Sequence, residues 1–176
     1  MKTMRLFPLE LKRLLQSRLT WLMMALAVLS PVLGLVLYKP ATSTTMLSMY
    51  LANPAIAGGV AGAILFGLLT IFELDRACRS RVDILTDAVV SPLTTALTRL
   101  LALLTAAVLT VGLTMLVWLP ISAGLIGAVF TGANYVLAYL LFMGLALPLG
   151  ILAAAAAYQS PAGRICPSSC LSPSAP

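Results

Sequence analysis

The chain has 176 residues, of which 61% are hydrophobic and 9% are charged, and its formal net charge is +6. A soluble globular domain carries about a quarter charged residues, so this composition excludes an ordinary water-soluble domain and indicates a protein embedded in lipid. The positive charge does not indicate a nucleic-acid partner, because the basic residues flank apolar segments and form no stripe or patch interleaved with aromatic residues.

Residues 1–18 have the pattern of an amphipathic helix lying in the membrane interface. From Phe7 to Arg18 the apolar positions recur at helical spacing, and the charged positions fall on another face. Pro8 suits the first turn of such a helix, where its missing N–H is not needed. The alternative is an extension of the first membrane span whose long basic side chains reach back to the interface. The residues on the apolar face are Phe7, Leu11, Leu14 and Leu15.

A transmembrane domain over residues 19–157 follows, because a spanning helix needs about 20 mainly apolar residues and several segments provide them. The first segment is longer than the apolar core of a signal peptide and is not followed by a clear cleavage site, so we expect it to be retained. The predicted fold is all-α: a polytopic transmembrane helical bundle with an N-terminal interfacial helix and a cytoplasmic coupling helix. The four predicted spans are residues 19–38, 55–72, 100–119 and 135–157.

Glycines in the second span predict close helix packing. Gly58 and Gly62 form a pair of small residues four apart, which lets another helix approach closely. The alternative is the ordinary enrichment of glycine in membrane helices.

The distribution of basic residues predicts the orientation. Placing the N-terminus inside puts every Lys and Arg except Lys39 on the cytoplasmic side, and the reverse placement puts all but Lys39 outside. Cytoplasmic loops carry the excess of Lys and Arg, so we expect a multi-pass protein of the cell membrane with both termini in the cytoplasm.

The cytoplasmic connection, residues 73–99, holds most of the acidic residues. Its pattern predicts a short surface helix from about Arg79 to Val90. Ser91 as the N-cap and Pro92 in the first position then predict the start of the helix that contains the third span. Further along, residues 121–134 are apolar but short, and Pro148 predicts a kink in the fourth span. Residues 158–176, rich in Ser, Pro and Cys, predict a disordered tail.

The sequence offers little that could carry catalysis. It contains no histidine and no phosphate-binding loop, so we expect neither an enzyme nor a chain that binds ATP itself. Three cysteines without histidine predict no metal site. No ionisable residue falls inside a predicted span, which argues against a pump that works alone. The classes of function that remain are a channel, a structural protein and a membrane subunit powered by a partner.

The order of these parts resembles the membrane subunit, or permease, of bacterial ABC-2 type exporters. A basic amphipathic segment, residues 9–18, leads into the first span, and a glycine-rich second span ends at the acidic Glu73. A charged cytoplasmic helix follows, and then the sequence Val-Ser-Pro-Leu at residues 90–93 and Arg99 lead into the third span. The resemblance covers about residues 5–157.

This resemblance implies two partners, a separate ATP-binding subunit that hydrolyses ATP and a second permease subunit, in a homodimer or a heterodimer. Family members have six spans, so the four spans and the change of composition at residue 158 imply a truncated or frameshifted product. The rival hypotheses are a small four-helix membrane protein of immunity or assembly type without transport activity, and a lone channel. The ATPase-coupling surface that the resemblance implies consists of Glu73, Asp75, Arg76, Arg79, Arg81, Asp83 and Asp87.

Overall fold

The computed structural model describes residues 3–37, 46–79, 92–127 and 130–159. These ranges are helical and contain no strand, which confirms the predicted all-α class. The helices, in chain order, are α1 (Thr3–Gln16), α2 (Arg18–Leu29), α3 (Pro31–Leu37), α4 (Met46–Arg79), α5 (Pro92–Ile126) and α6 (Gly132–Gln159).

The described residues include four helical segments that are long and apolar enough to cross a bilayer. Large apolar side chains cover their outer surfaces, for example Leu116, which is 74% exposed, and Val108, which is 68% exposed. Lipid solvates such a surface, and water does not. The chain is therefore a multi-pass membrane protein. The segments are Arg18–Leu37, Leu51–Arg76, Thr94–Ile126 and Gly132–Tyr158.

Three of the helices extend beyond the predicted spans. α4 has 34 residues and α5 has 35, each roughly 50 Å long at 1.5 Å per residue and so longer than the hydrocarbon core. α5 begins at Pro92, as predicted, and continues through Pro120 to Ile126, so residues 121–126 of the undecided stretch 121–134 are helical, as are residues 132–134 at the start of α6. α6 ends at Gln159, so the first two residues assigned to the tail are helical and the rest of the tail lies outside the described residues.

α1 is a separate helix and not an extension of the first span. Ser17 has extended backbone angles, φ −75° and ψ 124°, between α1 and α2. The helix begins at Thr3, so the prediction that Pro8 occupies its first turn is wrong; Pro8 lies inside the helix. The apolar face that the sequence predicted packs inward, since Leu14 is buried and α1 lies against α5.

The first span is interrupted at Ser30, where α2 ends and α3 begins. Pro31 has no N–H to donate to the carbonyl of Ala27, and the Ser30 hydroxyl donates to that carbonyl instead, at 2.6 Å. The indole N–H of Trp118 on α5 donates to the neighbouring carbonyl of Val28 at 2.8 Å. The two backbone carbonyls at the break thus accept hydrogen bonds, one from Ser30 in the same turn and one from Trp118 on another helix. Apolar surroundings require such partners.

Close backbone contacts hold α4 at the centre of the bundle. α4 and α6 share the most extensive helix–helix contact, and α3 packs on α4 as well. A methyl group built on Gly150 would lie 2.4 Å from the carbonyl oxygen of Ala63, and one built on Gly59 would lie 2.6 Å from that of Phe142. A methyl group built on Gly34 would lie equally close to the carbonyl oxygen of Asn53. Small residues permit this approach, which maximises packing where lipid removes the usual hydrophobic driving force.

Candidate functional site

The most distinctive polar feature of the described chain is a group of charged side chains where α1, α4 and α5 meet. The polar side of α1 supplies two of them, Glu10 and Arg13, which lie three residues apart on one helical face. The others come from the C-terminal part of α4 and the N-terminal part of α5. We call this group the charge cluster; it consists of Glu10, Arg13, Glu73, Arg76 and Arg99.

The two carboxylates alternate with the guanidinium groups. Arg13 Nη2 donates to Glu73 Oε2 at 3.0 Å, and Arg13 Nε lies 3.3 Å from Glu10 Oε2. Arg99 Nε lies 3.6 Å from the other Glu10 oxygen, and Arg76 Nη1 lies 3.7 Å from Glu73 Oε1. Each carboxylate therefore bridges two arginines, and Arg13 joins the two carboxylates to each other. The result is one connected network across three helices.

Some members of the network are withdrawn from solvent, while others are exposed. The side chain of Glu73 is 8% exposed and that of Arg99 is 14% exposed, whereas that of Arg76 is 62% exposed. Apolar side chains, among them Leu14 and Leu103, line the same small cavity as the charges. A charge in such surroundings is costly unless it is paired, so burial of Glu73 depends on its arginine partners.

The structure divides the residues of the predicted ATPase-coupling surface into two groups. Glu73, Asp75, Arg76 and Arg79 lie within the last turns of α4, and Glu73 faces inward to α1. The remaining residues, Arg81, Asp83 and Asp87, and the helix predicted up to Val90 lie outside the described residues. The contact of this surface with an ATPase stays a prediction. The structure adds a partner within the chain for Glu73, which is Arg13.

The glycine pair predicted for helix packing lies at two different contacts. A methyl group on Gly58 would lie 3.1 Å from the ring of Pro31 on α3 and 3.6 Å from the sulfur of Met143 on α6. One on Gly62 would lie 2.6 Å from the side chain of Leu147 on α6. The pair therefore packs against side chains within this chain, whereas the close contacts with backbone carbonyls are made at other glycines.

The sequence analysis did not identify Arg13 as a partner of Glu73, nor the pairing of Glu10 with Arg13 and Arg99. A usable signal existed in the scarcity of acids, since Glu10 is the only acidic residue before Glu73. A carboxylate at the end of an apolar span needs a cation, and Arg99 enters the next span at the same end. That reasoning would have predicted a pairing but could not have chosen among the available arginines.

The cluster has the chemistry of a structural junction. It consists of arginines and carboxylates in ion pairs, with no nucleophile beside a base. Nor do the described residues include any group of three or more His, Cys, Asp or Glu side chains placed to hold a metal ion.

No protein-family model, curated protein or solved structure matches this chain.

Proposed function

We propose that the chain is a membrane-spanning permease subunit of an ATP-driven ABC-type transporter, working in export and coupled to a separate ATPase subunit. The observation that carries this proposal is the charge cluster. It fastens the N-terminal helix to the ends of the two helices, α4 and α5, that flank the connection predicted to meet the ATPase.

The connection predicted to meet the ATPase lies between two helices that are each long enough to span the membrane. Residues 80–91 join the last residue of α4 to the first residue of α5, and each of these helices includes a complete candidate span. A partner that moves the connection pulls directly on both helices. Because Arg13 and Glu10 tie α1 to the same two helices, α1 moves with them. A partner holding α1 and the connection thus acts on one linked unit.

The same geometry supports an orientation with both termini in the cytoplasm of the cell. The structure brings α1 and the facing ends of α4 and α5 together, so the basic residues of these three segments gather at one end of the bundle. An excess of Lys and Arg is typical of the cytoplasmic side. In this arrangement the ATPase docks where the positive charge is concentrated, and ATP is bound by the partner. A second permease subunit completes the pathway.

If the proposal holds, an ATPase reading frame adjoins the gene for this chain, and the test uses that ATPase. The two proteins are co-expressed, this chain is affinity-purified, and the amount of ATPase retained and its ATP hydrolysis in liposomes are measured. The double variant R79E/R81E is expected to reduce ATPase retention at least tenfold while inserting normally into membranes. The matched control is K39E, which reverses a charge on the other flank. Equal retention by both variants contradicts the proposed coupling surface.

A second candidate function is a small membrane protein of immunity or assembly type without transport activity. The observation in its favour is that the tightest small-residue contacts, at Gly34 and Gly150, are made between helices of this one chain. Such a bundle has internal packing of its own and does not require a partner helix at those faces. Failure of any adjacent ATPase to associate, together with a folded and protease-resistant bundle, would favour this candidate over the permease.

A further inference from the structure

The outside of the junction between α1 and α2 carries cations that the charge cluster does not neutralise. Arg13 and Arg99 each lie beside a carboxylate, whereas Lys12 and Arg18 are exposed and form no ion pair within the described part of the chain. No acid is close in sequence to balance them, because Glu10, the only acidic residue before Glu73, already lies between two arginines.

Exposed apolar side chains share helical faces with these cations, since Leu9 precedes Lys12 by three residues and Trp21 and Leu22 follow Arg18 by three and four. Leu9 is 64% exposed, Trp21 is 55% exposed and Leu22 is 56% exposed. The indole N–H of Trp21 donates to the carbonyl of Leu15 at 2.7 Å, so the Trp21 ring bridges α2 to the end of α1 and its one polar group is satisfied. We call this the elbow surface; it consists of Leu9, Lys12, Arg18, Trp21 and Leu22.

We propose that the elbow surface binds the headgroups of anionic phospholipids, with Lys12 and Arg18 pairing with lipid phosphates and Trp21 seated at the boundary between headgroups and acyl chains. Charge complementarity selects an anionic partner, since both cations are unneutralised. The neighbouring apolar side chains select a lipid over a free phosphate ion, because only a lipid brings an acyl chain to cover Leu9 and Leu22. Tryptophan and basic residues in combination are typical of the membrane interface.

This inference does not depend on ATPase coupling. The elbow surface lies on the outer side of α1. The proposed coupling depends on the inner side, where Arg13 contacts α4 and Glu10 contacts α5. A chain that couples to no ATPase would still carry the elbow surface.

The experiment measures lipid selectivity near Trp21. The full chain is reconstituted in phosphatidylcholine vesicles that contain increasing fractions of brominated phosphatidylglycerol or brominated phosphatidylcholine, and tryptophan quenching is recorded. Trp118 is only 4% exposed, and the W21F variant measures its contribution separately. A Lys or Arg near an anionic surface strengthens association about fivefold, so the wild-type chain is expected to prefer phosphatidylglycerol by roughly tenfold or more.

Variants then assign the preference to the two cations. K12Q/R18Q is expected to bring the ratio of quenching by phosphatidylglycerol to quenching by phosphatidylcholine close to one. K12R/R18K is expected to retain the preference for phosphatidylglycerol. K39Q, on the other flank of the first span, is expected to leave the preference unchanged. Salt at about 0.5 M is expected to weaken it through screening. A wild-type chain without preference overturns the proposal, as does a preference that survives in K12Q/R18Q. Displacement of the lipid by inorganic phosphate at constant ionic strength also overturns it, since the site would then bind a free anion.

Discussion

Arg13 and Glu73 lie 60 positions apart in the chain and are joined by a hydrogen-bonded ion pair, with 3.0 Å between Nη2 and Oε2. This contact links the N-terminal helix to the far end of α4. A surface helix held only by lipid would be free to slide along the bundle, but a helix anchored to a buried carboxylate is fixed in register. The pair therefore makes α1 part of the bundle.

Breaking this pair from the arginine side is expected to destabilise the protein. R13Q leaves the buried Glu73 carboxylate with Arg76, which is mostly exposed and lies 3.7 Å away. Loss of one partner of a fully buried pair costs about 3–5 kcal/mol, and the partial exposure of Arg13 reduces this to about 2 kcal/mol. The measurement is the thermal or denaturant unfolding of the purified chain in neutral detergent.

Changing the carboxylate is expected to cost less than changing the arginine. E73Q removes the buried charge itself and leaves Arg13 beside Glu10, at 3.3 Å, so we expect a loss of about 1 kcal/mol. K12Q serves as the control, because Lys12 is exposed and makes no ion pair among the described residues. If E73Q proves as destabilising as R13Q, the buried carboxylate is not the source of the cost and the argument from desolvation fails.

A methyl group added at Gly150 is expected to weaken the contact between α4 and α6. In G150A the new carbon would lie 2.4 Å from the backbone carbonyl of Ala63, so the helices must separate, at a cost of about 1–3 kcal/mol. The matched control is G112A, since nothing lies within 4 Å of a methyl group at Gly112. Unfolding temperatures of the two variants in the same detergent provide the comparison, and equal stabilities would contradict the close approach.

The sequence was sufficient to predict the class of fold, because hydropathy alone identifies helices in lipid. Four spans, a separate N-terminal helix and the start of α5 at Pro92 were all predictable from apolar length, helical spacing and capping chemistry. The ends of α4 and α5 were not, since the helices continue through charged or proline-containing sequence beyond the apolar core. Hydropathy reports the apolar core of a helix and not how far the helix continues beyond that core.

The charge cluster was beyond sequence analysis for a different physical reason. Glu73 was identified as a notable residue, but its partner depends on how α1 folds back at Ser17. A single extended residue between two helices sets that direction, and several arginines could have met the carboxylate for other directions. Long-range ion pairs therefore follow from the geometry of the bends, which local patterns do not specify.

Removal of the indole N–H at Trp118 is expected to destabilise the break in the first span. W118F keeps most of the buried ring but leaves the carbonyl of Val28 without its 2.8 Å donor. Polar contacts between membrane helices contribute about 0.6 kcal/mol on average and up to about 1.7 kcal/mol, and a carbonyl beside a proline break should fall in the upper part of this range. Unfolding of W118F is compared with that of W21F, which also loses an indole hydrogen bond, to the carbonyl of Leu15, but at an exposed position. A larger loss in W21F would contradict this account.

The orientation of the chain is expected to place both termini and the connection between α4 and α5 in the cytoplasm. Apart from Lys39, every basic residue lies in segments that this orientation puts inside, and reversing the chain would put them all outside.

A cysteine introduced at Thr44, in the connection between the first two spans, should react with a membrane-impermeant thiol reagent added to intact cells. Native Cys78, close to the end of α4, should react only after the cells are opened. Because Cys166 and Cys170 also carry thiols, the introduced thiol is measured in a C78S/C166S/C170S background and Cys78 in a C166S/C170S background, so each signal comes from a single thiol. Labelling of Cys78 in intact cells would show the opposite orientation. It would also contradict the proposal that the charge cluster and the neighbouring connection face a cytoplasmic ATPase.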